Sequence, residues 1–248
     1  DTWGNAKNAK ILCGYLKAGI KAVRECTPKA LVTLHLESMG YGKCSEIMNA
    51  WEQNGVDYDV FGSSFYQFWQ GKSSKNALAG LQKIENLAKS RGKMYAVMET
   101  SWLNSLKDAD GTSNVIGEGH ANAKVYSDDP QGQVDALTDM YQTLLSNDNG
   151  LGAFYWEGAW IPVKAGWTNW KYNKDMSDRY GTGWAAQGAK GYYPDNKMYY
   201  NGQPAWGGSS WDNQTLFDSN GYPLQSLKFY KDSVSKGKEQ IIALKIVD

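Results

Sequence analysis

Four short apolar runs, separated by helix-length segments, constrain this chain more than any other feature. The runs cover residues 30–37, 58–66, 93–102 and 150–157, and their length and composition read as β-strands. Helical spacing fills the intervals. Residues 5–24 place Ile11, Leu12, Tyr15, Leu16, Ile20 and Val23 on one face, and Thr27-Pro28 ends that helix. Residues 44–54 form a second helix stopped by Gly55, residues 74–90 a third with a serine cap, and residues 133–146 a fourth. A last helix is expected over 225–234. Residues 241–247 form a short apolar tail, either an edge strand or the start of a connection.

Strands that alternate with helices predict a parallel sheet with right-handed crossovers. Each run ends on chemically useful groups: His35 and Glu37, Tyr66 and Trp69, Glu99 and Trp102, Trp156 and Glu157. Such groups at the carboxyl ends of successive parallel strands are the layout of a (β/α)8 TIM barrel site. The alternative, an open doubly wound sheet, usually carries a Gly-rich phosphate loop. No G-x-G-x-x-G or P-loop follows any of the strands, so the α/β barrel is favoured. The 248 residues would suffice for a whole barrel, yet only four strands of this kind are found. The remainder reads as loop, including about sixty residues rich in Gly, Asn, Trp and Tyr after Trp160. The chain therefore looks like the second half of a barrel with long loops.

The third run carries the residue most in need of explanation. It leaves Arg91-Gly92, stays apolar through Met98, and ends on Glu99, a hydroxyl pair and Trp102. A carboxylate at the end of a core strand can simply open the next loop and face water. Composition favours a functional reading. The chain has 11 Trp and 16 Tyr against 6 Phe, and these residues pair an apolar ring with a polar handle, as a sugar-binding surface requires. Aromatic packing under long loops must account for part of them. The 26 basic and 26 acidic residues balance, so nothing steers the chain to nucleic acid or an anionic membrane. No apolar run is long enough to span a bilayer, and no signal peptide is visible. The opening residue, Asp1, reads as that of a processed or trimmed product. Cys13, Cys26 and Cys44 have no metal-type spacing, and Cys13 is expected in the core.

Four stretches resemble glycoside hydrolase family 53, the endo-β-1,4-galactanases. They are Leu16-Lys17-Ala18-Gly19-Ile20-Lys21-Ala22-Val23-Arg24, then Val97-Met98-Glu99-Thr100, then the run from Gly150 through Trp160, and lastly the run from Asp212 through Asp218 with Gly221-Tyr222-Pro223-Leu224. The resemblance extends to about Tyr230. It implies an eight-strand barrel, of which residues 1–240 supply strands 5–8, with 241–248 a tail or the start of a linker. It also implies retaining hydrolysis of β-1,4 linkages in galactan or arabinogalactan, with Glu99 as nucleophile. Tyr66 would lie beside that nucleophile and Trp156 under the sugar ring, with His35, Glu37, Trp69 and Trp102 as substrate neighbours. Retaining hydrolysis uses two carboxyl groups about 5–5.5 Å apart. The family's acid/base is a Glu after Asn at the end of the fourth strand, and this chain has no Asn-Glu dipeptide. The proton donor and the first four strands are thus expected in another segment of the same product or in a second chain. Glu37 and Glu157 are in-chain substitutes to weigh. No organic cofactor is implied, and the extracellular space is the implied location.

Asp108-Ala109-Asp110-Gly111-Thr112-Ser113-Asn114 spaces oxygen donors around a glycine, which suits calcium but is too short for an EF-hand. On spacing alone it is an acidic turn. The resemblance implies calcium held by Asp108, Asp110, Thr112 and Asn114 with Ser209 and Asp212, although the family form has His where Thr112 stands. Two other readings stay open: a non-catalytic galactan-binding protein, and an inactive barrel fragment with exposed strand edges.

Overall fold

A computed structural model of the chain describes residues 6–37, 40–70, 73–109, 114–117, 125–159, 199–200, 203–204 and 211–236. The chain divides into two units. One comprises Asp1–Thr100 with Asp139–Trp156, the other Ser101–Thr138 with Glu157–Asp248.

The first unit holds α1 (Ala6–Cys26), β1 (Thr33–Leu36), α2 (Tyr41–Gln53), β2 (Val60–Ser64), α3 (Ser74–Lys89), β3 (Met94–Thr100), the end of α4 (Pro130–Leu145) and β4 (Gly150–Tyr155). The strands form one parallel sheet in the order β1-β2-β3-β4. Parallel neighbours require a long crossover, and α2, α3 and α4 supply the three. The observed strands are shorter than the apolar runs, because only residues that meet a neighbour's ladder count as strand. Helix α4 starts three residues before expectation: Pro130 occupies its first position, where a missing N–H costs nothing.

Helix spacing and strand alternation build the core together. Cys44, Ile47, Met48 and Trp51 are buried on α2, and Ala77, Leu81, Ile84, Leu87 and Ala88 on α3. Every residue of β2 is buried. Trp51 packs edge-on against Tyr58 with ring centres 5.3 Å apart, and Phe61 stacks on Tyr95 at 6.3 Å. Ser73 caps α3, its Oγ accepting from Asn76 N–H at 3.3 Å. Arg24 ties the end of α1 to the sheet. It donates to Asp59 Oδ1 at 2.9 Å and to the Ala30 carbonyl at 3.2 Å, while Val32 N–H donates to Asp59 Oδ2 at 2.7 Å. The adjacent guanidinium holds the Asp59 carboxyl below its ordinary pKa.

Helix α1 departs from expectation. Cys13 and Ile20 are buried, and Leu12 and Leu16 half-buried, but Ile11, Tyr15 and Val23 are exposed. The apolar stripe is wider than the face that this sheet covers. At the sheet's other edge Leu151 and Phe154 of β4 are exposed. Among the described residues β1 pairs only with β2 and β4 only with β3.

A carboxyl is buried where α3 meets β4. Glu85 is 0% exposed, accepts from Asn147 Nδ2 at 2.7 Å through Oε2, and has no hydrogen-bond partner for Oε1. Burial pushes its pKa up to about 7, against the smaller lowering by the Asn147 bond. Gly150 is needed here: a Cβ would lie 2.0 Å from the Leu144 carbonyl and 2.6 Å from Glu85 Oε1.

The second unit holds the segment after β3, most of α4, the short antiparallel pair β5 (Tyr199–Tyr200) and β6 (Gln203–Pro204), a 3-10 turn at Asp212–Gln214, and α5 (Lys228–Lys236) behind a second 3-10 turn. Buried side chains stitch its irregular backbone. The Gln133 amide donates to the Trp102 carbonyl at 3.0 Å and the Thr215 carbonyl at 2.8 Å, and its oxygen accepts from Ser226 Oγ at 2.6 Å. Asn213 Nδ2 donates to the carbonyls of Ser105 and Ile116, both at 2.8 Å. Asn104 N–H donates to the Asn213 carbonyl at 2.8 Å, and Ser101 Oγ to Gln214 Oε1. Buried backbone groups outside regular structure must find such partners. The expected apolar tail at 241–247 lies outside the described residues.

Candidate functional site

The carboxyl ends of the four strands carry the expected groups. Glu99 is the penultimate residue of β3 and is half-buried. Tyr66, in the turn after β2, donates its hydroxyl to Glu99 Oε2 at 3.0 Å. The ladder continues past Glu99, whose carbonyl accepts from Phe65 N–H at 2.8 Å. His35 Nε2 lies 2.9 Å from Ser64 Oγ, and Ser64 stands opposite Glu99 in the β2–β3 register. Trp156, half-buried, donates its N–H to the Thr100 carbonyl at 2.8 Å. The structure thus brings His35, Tyr66, Glu99 and Trp156 to one end of one sheet.

A register irregularity aims the carboxylate. Ser63 pairs with Val97, but Ser64 pairs with Glu99. On the other side Val97 pairs with Ala153 and Thr100 with Tyr155. Past Val97, strand β3 therefore holds one residue more than either neighbour, whereas nearer its start β4 carries the extra residue, Leu151. Side chains alternate along a strand, so without the bulge Glu99 would join Tyr95 and Val97, both 0% exposed on the helix-covered face. The extra residue reverses that alternation. Glu99 instead shares a face with Ser64, where the Tyr66 hydroxyl reaches it.

Trp69 is 51% exposed and stands edge-on to Phe68 with ring centres 4.6 Å apart. It offers an open aromatic surface one turn beyond Tyr66, whose carbonyl accepts from Trp69 N–H at 2.9 Å. Glu37 is exposed after β1. Glu157 is also exposed and has φ +49°, a left-handed conformation that non-glycine residues seldom hold.

Trp102 departs from its expected place beside a substrate. It is 2% exposed, its Nε1–H donates to the Ser127 carbonyl at 2.8 Å, and its ring meets Tyr126 edge-on at 5.2 Å. With both its ring and its N–H engaged in the second unit, it serves packing and presents no ring face to a sugar.

Of the expected calcium donors, Asp110, Thr112 and Ser209 lie outside the described residues. Asp108 is exposed, and the Asp212 side chain is buried at 1% exposure. Asn114 Oδ1 is buried without a hydrogen-bond partner, while its Nδ2 donates to the Lys107 carbonyl at 3.0 Å. Asn104 and Asn213 fasten the loop bearing Asp108 and Asn114 to the turn bearing Asp212. These are oxygen donors of the kind calcium takes, but among the described residues no three His, Cys, Asp or Glu side chains gather as a metal site.

Two partnerships were not legible beforehand. Ser64, which meets His35, sat inside a strand run with no signal of its own. Gln133, which grips three segments, looked like an ordinary polar residue at a helix start.

The sequence profile described as "Glycosyl hydrolase family 53" matches residues 1–230. The chain is 37% identical over 222 residues to a Bacillus subtilis endo-beta-1,4-galactanase, an alignment spanning 89% of this chain and 49% of that protein. It is 30% identical over 143 residues to an arabinogalactan endo-beta-1,4-galactanase of Thermothelomyces thermophilus, spanning 54% of this chain and 40% of that protein. Among solved structures it is similar to the Ignisphaera aggregans GH53 catalytic domain. There the TM-score is 0.67 at 27% identity, over 91% of this chain and 53% of that one. The chain spans about half the length of these relatives. On the match across residues 1–230, the chain belongs to glycosyl hydrolase family 53.

Proposed function

We propose that this chain is the nucleophile-bearing half of a (β/α)8 barrel, its strands β1 to β4 being strands 5–8, in a retaining endo-β-1,4-galactanase acting on galactan or arabinogalactan. One observation carries the reading: the Glu99 carboxylate, turned by a strand bulge to the face it shares with Ser64, accepts a 3.0 Å hydrogen bond from Tyr66. In this reading Glu99 attacks the anomeric carbon and forms a glycosyl-enzyme ester, which water then cleaves. Tyr66 fixes the orientation of the carboxylate through its hydroxyl. Trp156 and Trp69 supply ring faces for sugars, and His35, braced by Ser64, supplies a polar contact. Glu37 lies at the same strand ends as a further contact.

The proton donor belongs to the other half-barrel, carried by the same polypeptide or by a second chain. The edges of β1 and β4, which pair with no further strand among the described residues, and the exposed Ile11, Tyr15, Leu151 and Phe154 support such a partner. Calcium, bound by Asp108, Asn114 and Asp212 together with Asp110, Thr112 and Ser209, would pin two loops. Polymer hydrolysis of this kind suits an extracellular location.

The test is Glu99→Gln in the complete enzyme, with reducing ends released from β-1,4-galactan as the readout. Hydrolysis is expected to be abolished, and retained activity would sink the assignment. A second reading draws on the absence of an Asn-Glu dipeptide and on the exposed Trp69. In it the chain binds galactan without cleaving it. Calorimetric galactan binding by the chain, with no product formed when the other half-barrel is supplied, would favour that reading.

A further inference from the structure

The bulge that aims Glu99 needs something to hold it. A strand with one surplus residue can shift its surplus along the ladder unless a side chain fixes the position. The surplus lies at Met98, the residue of β3 skipped between Ser63–Val97 and Ser64–Glu99. The Met98 side chain lies over Gly62 of β2. A Cβ at Gly62 would fall 2.5 Å from Met98 Cγ, 3.4 Å from its Sδ and 3.1 Å from Thr33 Cγ2. Gly62 stands in register with His35 on one side and Ala96 on the other. The missing side chain in the middle of a fully buried strand therefore leaves a hollow, with Thr33 as its far wall, and the methionine fills it. Glycine in a strand interior has a conformational cost. Here φ is ordinary, so the glycine is explained by the space it leaves.

We propose that Met98, seated on Gly62 against Thr33, is the positioning residue that locks the bulge and so holds the Glu99 carboxylate on the face it shares with Ser64, within reach of Tyr66. This rests on the reading of Glu99 as nucleophile only for its catalytic consequence; the geometric lock stands without it. Methionine suits the task because its adaptable side chain fills an irregular gap between strands.

Two variants test the lock from opposite sides. Met98→Ala empties the hollow, and Gly62→Ala expels the methionine from it. Met98→Leu keeps the volume and serves as the conservative control. The catalytic arm measures covalent labelling of Glu99 by 2,4-dinitrophenyl 2-deoxy-2-fluoro-β-galactobioside in the complete enzyme, followed by peptide mass spectrometry. That leaving group departs without a proton donor, so the readout isolates the nucleophile. Misplacing a reacting atom by about 1 Å can cost on the order of 100-fold. The limiting labelling rate is expected to fall by about that factor in Met98→Ala and Gly62→Ala. The half-saturating concentration should move little, and Met98→Leu should stay close to the parent. The geometric arm is a crystal structure of Met98→Ala, where the Tyr66–Glu99 hydrogen bond is expected to be lost.

Unchanged labelling in folded Met98→Ala, at temperatures well below its melting point, overturns the proposal. So does an unmoved Glu99 in its crystal structure. If the parent enzyme is labelled elsewhere, the nucleophile assignment fails. The crystallographic arm then decides the lock alone.

Discussion

The two units are held by different forces. In the sheet unit, strand and helix faces of matching period press large apolar side chains together: Trp51 packs on Tyr58 and Phe61 on Tyr95, with Leu81 and Ile84 fully buried on α3. Its backbone groups satisfy one another along ladders and helices. The other unit has long irregular segments and few such ladders among its described residues. There, buried amides do the joining, and Gln133, Asn213 and Gln214 are each at most 4% exposed. The contrast teaches that a loop region becomes ordered when side chains take over the hydrogen-bonding work that regular structure does elsewhere.

Three measurements break or sharpen that contrast. The largest expected effect is in the sheet unit. Phe61→Ala removes a fully buried ring that touches both Trp51 and Tyr95, and should lower unfolding stability by about 3–5 kcal/mol. The shift of the chemical denaturation midpoint checks it. A loss below about 1 kcal/mol would mean that the site collapses easily and that apolar packing is not dominant there.

Gln133→Leu is the matching substitution in the other unit. It leaves the Trp102 carbonyl and the Ser226 hydroxyl without their Gln133 partners, whereas the Thr215 carbonyl keeps its bond from Asn104 Nδ2. Two lost buried hydrogen bonds at about 0.5–1.5 kcal/mol each predict a loss of roughly 1–3 kcal/mol. Hydrogen exchange should locate the loss: amides at 101–117 and 211–217 speed up first. A neutral Gln133→Leu would show that the amide network follows the loop fold and does not hold it.

The smallest effect is confined to one pH window. Glu85 is a polar intrusion into the apolar core, with its pKa raised from 4.5 to about 7 by burial. A group whose folded pKa is raised binds its proton more tightly in the folded state. Its contribution is therefore full below about pH 4.5 and is lost as pH rises through about 7. The loss is on the order of 3 kcal/mol at most, taking about 1.4 kcal/mol per pKa unit. Glu85→Gln should abolish this slope. The difference in melting temperature between parent and variant, followed from pH 4 to pH 8, should move in the variant's favour. A difference that does not vary with pH would place the ionised carboxylate in a solvated or compensated setting.

Much of the sheet unit was legible in the chain. Periods of two and 3.6 are local properties, so the four strands and the helices between them could be read from spacing, with ends displaced by at most three residues. The groups at strand ends were legible for the same reason, and His35, Tyr66, Glu99 and Trp156 do converge. The width of the α1 stripe was legible, but not which part of it this sheet would cover. Trp102 was misread because aromatic residues that stack on sugars and aromatic residues that pack under loops have the same composition signal. Gln133 and Asn213 gave no signal, because an amide's worth depends on carbonyls about 30 to 110 residues away in sequence.

The sequence by itself determined that a carboxylate would stand at the end of the third strand, because an apolar run of that length must pair and then stop. It did not determine which way that carboxylate would point. Plain alternation assigns Glu99 to the helix-covered face with Tyr95 and Val97. Only the pairing of β3 with its neighbours, with a surplus residue between Val97 and Thr100, turns it towards Tyr66. Facing is a property of register, and register is decided between strands and not within them.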